Sequence, residues 1–319
     1  MATTELAERI ASELAEPAPP EAFALADVLV RRFGNATAGV LFYGSCLRRQ
    51  DADGVLDFYV LVDDYRQIYP GRWLAFLNAI LPPNVFYLEH SAGGKLLRAK
   101  VAVLSLDHFS HAVAPRWAEA RVWARFAQPA RLLYHRSEEI RDGVVRDVAT
   151  ALQTFVGHLP AWLPDARDEP VTAERFWPAA FRETYRAELR GESMETIQAL
   201  YDAAPVRYAE LLDLALVELG TQGDVSIAGS PGLRRLVASD AEIERARRRW
   251  RRRRRLGKAW STLGLAKCIF TFDDWASYGL WKVERHGGEK IQLSERQRRY
   301  PLIFGWPVVW RLLRQRTLR

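Results

Sequence analysis

A glycine-serine pair followed by an aspartate is the part of this sequence best suited to chemistry. Gly44 and Ser45 follow the apolar run AGVLFY, and Asp57 lies within a second apolar run, VLDFYVLV. A Gly-Ser turn after a strand lets backbone N–H groups and one hydroxyl approach phosphate oxygens. An aspartate at the start of the next strand can hold Mg²⁺, which proteins bind through one or two carboxylates together with substrate phosphates. The spacing therefore predicts a site for a nucleoside triphosphate and Mg²⁺.

The same residues also have an ordinary structural interpretation, which stays open at this point. Aspartates are common in turns between strands, and Asp51 and Asp53 are interpreted as turn formers. Cys46 has no evident histidine partner and is interpreted as a small packed residue. The pattern alone does not decide between a phosphate-binding turn and a plain connection between strands.

The elements that must position these residues follow from the hydrophobic pattern. Apolar runs rich in Val, Phe and Tyr predict strands at about 38–43, 55–62, 84–89 and 98–104. Helices are predicted over 4–16, 21–33, 71–80, 106–113 and 117–126, and residues 46–54 are predicted to form a polar loop. Strands with interleaved helices indicate an α/β (α+β) fold with a mixed sheet.

Beyond residue 136 the pattern becomes mainly helical. The predicted organisation is a sheet-containing domain at 1–135, a helical domain at 136–238, and an Arg-rich helix with an amphipathic tail at 239–319. Within these, 220–232 is predicted to be a loop or linker and 239–262 a long basic helix.

The Gly-Ser pair and its aspartate resemble the motif of the DNA polymerase beta-like nucleotidyltransferase superfamily. The motif runs apolar, Gly, Gly or Ser, about a dozen residues, then Asp, apolar, acid, apolar. The matching residues here are Tyr43, Gly44, Ser45, Asp57, Phe58, Tyr59 and Val60. Tyr59 occupies the position of the second acid, which is the main departure from the pattern.

Further segments over roughly 38–195 resemble the mitochondrial-type phosphatidate cytidylyltransferases, the peripheral CDP-diacylglycerol synthases. The chain is similar to a divergent member of this family. The resembling segments are Gly44-Ser45, Asp57–Val60, Lys100–Ser105, Trp123–Pro129 and Tyr185–Arg190. It departs from the family where Gln128 replaces a lysine, where Glu188 replaces an aspartate, and in 66–83, where the family's Asn/His-rich stretch is not recognisable.

This resemblance implies Mg²⁺-dependent transfer of a cytidylyl group from CTP to phosphatidate, giving CDP-diacylglycerol and pyrophosphate. It implies three catalytic residues, which are Asp57, Lys100 and Glu188. It implies four nucleotide-binding residues, which are Gly44, Ser45, Arg125 and Arg190. Asp57 is the implied metal ligand, and Glu89 at the end of NVFYLE is a second candidate ligand on topological grounds. Lys100, Arg125 and Glu188 also fit ordinary surface roles.

Charge is distributed unevenly along the chain. The formal net charge is +7, yet residues 247–255 hold eight arginines and residues 296–319 hold seven, with no acid in either segment. The rest of the chain therefore has a net charge of −8. Clustered arginines indicate a polyanionic partner, either an anionic membrane or a nucleic acid.

The C-terminal sequence favours the membrane. Residues 301–313 combine Leu, Ile, Phe, Val and Trp with Arg311 in a run too short to span a bilayer, a composition typical of segments lying in the headgroup plane. The N-terminus lacks an apolar signal core, and two cysteines suit a reducing compartment. We therefore expect a cytoplasmic protein, peripheral on the inner membrane face.

Three alternatives stay open. The run 301–313 could be a final helix packed on the core. The transferase could act on RNA or another polyanion. The protein could also be a non-catalytic, nucleotide-binding membrane adaptor, because the second acid is replaced by Tyr59.

Overall fold

The computed structural model of the chain describes residues 4–69, 71–117, 119–188 and 192–271. Arg190 and the segment 301–313, both singled out above, lie outside these ranges. The main sheet contains β1 (Thr37–Tyr43), β2 (Val55–Val62), β3 (Asn84–Ala92), β4 (Lys95–Ser105) and β5 (Ala130–His135). The helices up to residue 135 are α1 (Glu5–Leu14), α2 (Pro20–Phe33), α3 (Ser45–Arg49), α4 (Arg72–Ile80), α5 (Leu106–Val113) and α6 (Arg121–Phe126).

The remainder of the described chain is mainly helical. Its helices are α7 (Glu138–Val156), α8 (Leu159–Trp162), α9 (Ala173–Ala187), α10 (Met194–Asp202), α11 (Pro205–Gln222) and α12 (Asp240–Thr271). A short hairpin of β6 (Ile227–Ala228) and β7 (Arg235–Leu236) lies between α11 and α12. Part of segment 220–232, which was predicted to be a loop or linker, therefore forms a short strand.

The main sheet is mixed, with strand order β3-β4-β2-β1-β5. β2 runs parallel to β4, and the other neighbouring strands are antiparallel. β1 is buried along its whole length and β2 along most of it, which explains their nearly continuous apolar sequences. The predicted α/β fold with a mixed sheet and a following helical region is confirmed. β5 was not predicted, and α3 occupies part of the predicted polar loop.

Alternation along β2 divides its side chains between the two faces of the sheet. Phe58 and Val60 pack in a core with α2, whereas Tyr59 and Leu61 pack in a larger core with α1, α5, α6 and α7. Asp57, two residues before Tyr59, lies on this second face. The larger core continues through α9 and α11, so it crosses the predicted boundary at residue 135 without a break.

The arginine run lies within α12, and the prediction of a long basic helix is confirmed. Trp250 is buried, packs edge-on against Trp162, and donates its indole N–H to Glu183 at 2.8 Å. Arg253 contacts the His158 ring nitrogen at 2.7 Å. One side of the run is therefore part of the folded body rather than a solvated patch. The arginines on its other side are exposed, at positions 248, 249, 251, 252 and 255.

Within the described ranges, no helix has both the length and the hydrophobicity needed to cross a bilayer.

Candidate nucleotide site

Gly44 and Asp57 meet at the end of the β1–β2 pair. Asp57 is the register partner of Tyr43, which places its side chain beside the turn that follows β1. Gly44 has a φ of +95°, and a Cβ built on it would lie 2.6 Å from the Asp57 carboxylate oxygen Oδ2. Glycine is therefore required here twice, for its backbone conformation and for the close approach of the acid. The predicted turn and acid lie together.

Ser45 is the first residue of α3, a helix of five residues. The Gly44 carbonyl accepts the Arg48 N–H at 3.2 Å, so the helix starts directly at the glycine. Cys46 is buried behind the turn, and burial raises the pKa of its thiol. It is thus a packed residue, as expected. The Ser45 side chain remains partly accessible beside Gly44.

Tyr59 fills the position of the superfamily's second acid with a buried ring. It is 1% exposed, and its ring centroid lies 5.3 Å from those of both Tyr43 and Phe126. Burial raises the pKa of the Tyr59 phenol, so it stays neutral at physiological pH. Asp57 is therefore the acid that β2 itself contributes to this face.

Lys100 lies beside Asp57 on β4. The two residues are register partners in the parallel β2–β4 pair, so their Cα atoms lie about 4.8 Å apart and their side chains share a face. Tyr43 on β1 is the partner of Asp57 on its other side. The structure thus brings a carboxylate and a lysine together next to the Gly-Ser turn.

Arg125 of α6 approaches the same face from above the sheet. Its guanidinium lies 3.5 Å from the Glu188 carboxylate and donates to the Arg121 carbonyl at 3.1 Å. Burial acts to lower the pKa of Arg125, but the groups around it, above all the Glu188 carboxylate, outweigh burial and hold that pKa above its ordinary value. Arg125 is therefore a permanent cation beside Glu188, and both Arg125 and Glu188 are far more buried than surface roles allow.

Glu89 does not join this group. On β3, it accepts a hydrogen bond from the Tyr87 hydroxyl at 2.9 Å and another from Arg98 at 3.2 Å. Two strand spacings separate β3 from β2, which is roughly 10 Å, and Glu89 is displaced two further residues along its strand. Asp57 and Glu89 are too far apart to hold one metal ion.

Sequence reasoning missed a second ion pair beside Arg125. Glu119 is buried and accepts from Arg121 at 2.5 Å. Burial raises the pKa of Glu119, while Arg121 acts to lower it. The spacing of Arg121 and Arg125, one helical turn apart on α6, was the available signal.

The arrangement of potential ligand side chains limits how a metal ion could be bound. Within the ranges described, no group of three or more His, Cys, Asp or Glu side chains is arranged to hold a metal ion. Mg²⁺ does not need such a group, because it is commonly held by one or two carboxylates and the phosphates of its substrate. Asp57 beside the Gly-Ser turn fits that requirement.

Comparison with known proteins gives little further guidance. No protein-family model and no curated protein matches the chain. Among solved structures, one similar chain is described as a nucleotidyltransferase-like protein from Exiguobacterium sibiricum, with 11% identity and a TM-score of 0.28, covering 82% of this chain and 92% of that one. A likeness at this TM-score does not establish a shared fold.

Proposed function

We propose that this protein is a nucleotidyltransferase that moves a nucleotidyl group from a nucleoside triphosphate to an anionic acceptor and releases pyrophosphate. The observation that carries the proposal is the contact between Gly44 and the Asp57 carboxylate. This contact brings three groups together at one end of the sheet. They are a backbone turn that can bind phosphate, the Ser45 hydroxyl, and the Asp57 carboxylate, which can bind a metal ion.

The cationic side chains near Gly44 and Asp57 match the negative charge of the reactants and of the leaving pyrophosphate. Triphosphate and acceptor are both anionic, so fixed positive charge must offset their repulsion and the charge on the leaving pyrophosphate. Lys100 on the neighbouring strand and Arg125 above the sheet supply that charge. Gly44 and Ser45 would bind the triphosphate, and Asp57 would hold Mg²⁺ through its carboxylate. Bound Mg²⁺ would neutralise phosphate charge and polarise the phosphorus under attack.

The finer proposal is that CTP is the donor and phosphatidate the acceptor. It rests on the resemblance in sequence over residues 38–195 and on the exposed arginines of α12. A lipid phosphate must be collected from an anionic surface, and arginines near such a surface contribute binding energy. Glu188 remains a candidate catalytic carboxylate in this scheme, paired with Arg125 in the structure.

Burial of Tyr59 favours a second candidate, a nucleotide-binding membrane adaptor without turnover. With a neutral phenol in place of the second acid, β2 supplies one carboxylate to this face of the sheet. Such a protein would bind nucleotide and vesicles but release no pyrophosphate.

One experiment separates these possibilities. The full chain is incubated with CTP labelled at the α-phosphate, Mg²⁺ and vesicles containing phosphatidic acid, with a parallel reaction on RNA. We expect label in the extracted lipid, lost in Asp57→Asn and retained in the control Asp27→Asn, whose exposed side chain lies on α2. Label in RNA would reassign the acceptor. Vesicle binding with no pyrophosphate release would support the adaptor, and activity retained in Asp57→Asn would overturn the assignment of the site.

A further inference from the structure

The exposed side of helix α4 is apolar. Trp73, Phe76 and Ile80 follow one another at intervals of three and four residues, which places them on one face of the helix. They are 64%, 54% and 56% exposed, and the Trp73 and Phe76 rings stack with their centroids 6.1 Å apart. A surface helix ordinarily turns its polar residues towards water, so an exposed face of this composition requires an explanation.

Asn78 holds α4 in this orientation. Its side chain is fully buried, and its amide donates to the Tyr69 hydroxyl and to the Val103 carbonyl, both at 3.1 Å. Its amide oxygen accepts the Asn84 N–H at 2.5 Å. The polar side chain of the helix is thus satisfied inside the protein while its large apolar side chains face out. Exposure of Trp73 and its neighbours is therefore a fixed property of the fold.

Positive charge surrounds the start of α4. An open groove of about 550 Å³ is lined by Arg66, Arg72, Trp73 and Phe76 together with Asp64. Asp64 is paired with Arg66 at 2.6 Å, whereas Arg72 is exposed and forms an ion pair with no acid in the described ranges. Residues 71–83 contain no acid. The apolar face is therefore bordered by cations.

Helix α12 has an exposed stripe of similar composition. Arg249, Arg252, Leu256 and Leu263 are exposed and are spaced three, four and seven residues apart, so they share one side of the helix. The two leucines are about half exposed. No acid occurs between residues 245 and 271. The stripe is thus basic at one end and apolar at the other.

Lys267 joins the apolar end of this stripe to α4. Its ammonium donates to the carbonyls of Leu81 and Pro83, the second at 2.7 Å, just beyond the last residue of α4, Ile80. Leu263 precedes Lys267 by one helical turn on the same side of α12. The stripe therefore leads to the end of the apolar face of α4.

Charge decides which occupant this surface fits. A second copy related by two-fold symmetry would bring the same arginines together. Segment 296–319 of this chain carries seven arginines and no acid, so it would also add positive charge. RNA would attract the arginines, but aliphatic side chains offer bases no ring to stack on. An anionic bilayer matches both halves, with charged headgroups for the arginines and an apolar interior for the Trp73 face.

We propose that α4 is a membrane-contacting helix. Trp73, Phe76 and Ile80 enter the headgroup region of an anionic bilayer, and the exposed arginines of α12 bind the headgroups beside them. This inference deepens the membrane part of the proposed function and does not depend on nucleotidyl transfer.

The test measures sedimentation of the full chain with phosphatidylcholine vesicles containing phosphatidylglycerol, with no nucleotide present. Phosphatidylglycerol supplies negative charge without a phosphate monoester, so the acceptor of the transfer reaction is absent. We expect the double variant Trp73→Gln, Phe76→Gln to bind at least about tenfold more weakly, because each large apolar side chain loses its burial in lipid. The factor should be the same at low and high salt, since apolar burial is not an interaction between charges that salt screens.

Phe23→Gln is the matched control, because Phe23 is an exposed aromatic residue on α2, and it should bind vesicles normally. Thermal unfolding of the double variant should match the parent, since both replaced side chains face solvent. Vesicle binding equal to that of the parent would overturn the proposal. So would a dimer or an RNA complex that the double variant loses while it keeps its vesicle binding. Asp57→Asn should bind these vesicles normally, so failure of the transferase proposal is detected separately.

Discussion

The Gly44 backbone lies against the Asp57 side chain so closely that residue 44 has no room for a Cβ. The nearest atom to such a Cβ is Oδ2 of Asp57 at 2.6 Å, followed by the Asp57 Cβ at 3.3 Å. The turn and the acid can therefore be tested as one unit.

We expect Gly44→Ala to disturb both the fold and nucleotide binding. Gly44 has a φ of +95° and a ψ of −162°, a region that essentially only glycine occupies, so an L residue costs about 1–3 kcal/mol there and contact with Asp57 adds to this. Gly34→Ala is the matched control, because Gly34 also has a positive φ but no atom within 4 Å of the added Cβ. Urea unfolding and nucleotide titration measure the two effects. Equal losses in both variants would contradict a specific Gly44–Asp57 contact.

The pairing of Glu188 with Arg125 should contribute strongly to stability. Both side chains are largely buried, and Glu188→Gln leaves the guanidinium in a dry environment with a neutral neighbour. The expected cost is about 3 kcal/mol in the free energy of unfolding. Glu138→Gln, which weakens an exposed pair with Arg141, should cost less than about 1 kcal/mol. Similar small losses in the two variants would show that the Arg125 pair is solvated.

His158 should make the protein less stable as the pH falls. Burial, together with the nearby charge of Arg253, lowers the pKa of His158 to about 3. Below pH 6.5 the unfolded chain therefore binds a proton that the folded chain does not, and stability decreases towards pH 3 by up to about 1.4 kcal/mol per pH unit.

His158→Gln should remove this part of the pH dependence. The parent is expected to lose about 2 kcal/mol more than the variant between pH 6.5 and 5, measured by urea unfolding. Burial raises the pKa of Asp147 to about 6, which acts in the opposite direction, but it is common to both proteins and cancels in the difference. Parallel stability curves would mean that His158 is protonated in the folded state.

We expect the exposed arginines of α12 to contribute to membrane binding and the inward-facing Arg253 to contribute to stability. Replacing the exposed Arg248, Arg249 and Arg252 with Gln should reduce binding to acidic vesicles by tenfold or more and reduce its salt sensitivity, with little change in stability. Arg253→Gln should instead lower the melting temperature, because Arg253 contacts His158 and lies over the ring of Trp123. Sedimentation with vesicles and thermal unfolding distinguish the two. Unchanged vesicle binding in the triple variant would remove α12 from the membrane proposal.

The sequence determined the local elements wherever burial leaves a continuous apolar pattern. β2 was predicted with its observed bounds, because a strand covered on both faces is apolar throughout. β5 was missed, because this edge strand, with sequence ARLLYH, mixes polar and apolar residues. The Gly-Ser turn and Asp57 could also be found from sequence, since the β1–β2 pairing that joins them connects neighbouring segments.

Contacts between distant segments were decided only by the tertiary structure. The sequence could not place Glu188 against Arg125, separate Glu89 from Asp57, or show that Trp250 and Arg253 turn inward while their neighbours face solvent. The local hydrophobic pattern predicts helices and strands and shows which of their faces are apolar. Contacts between distant segments depend instead on the order of the strands in the sheet and on how α6, α9 and α12 pack. A buried charge acquires its partner from that packing.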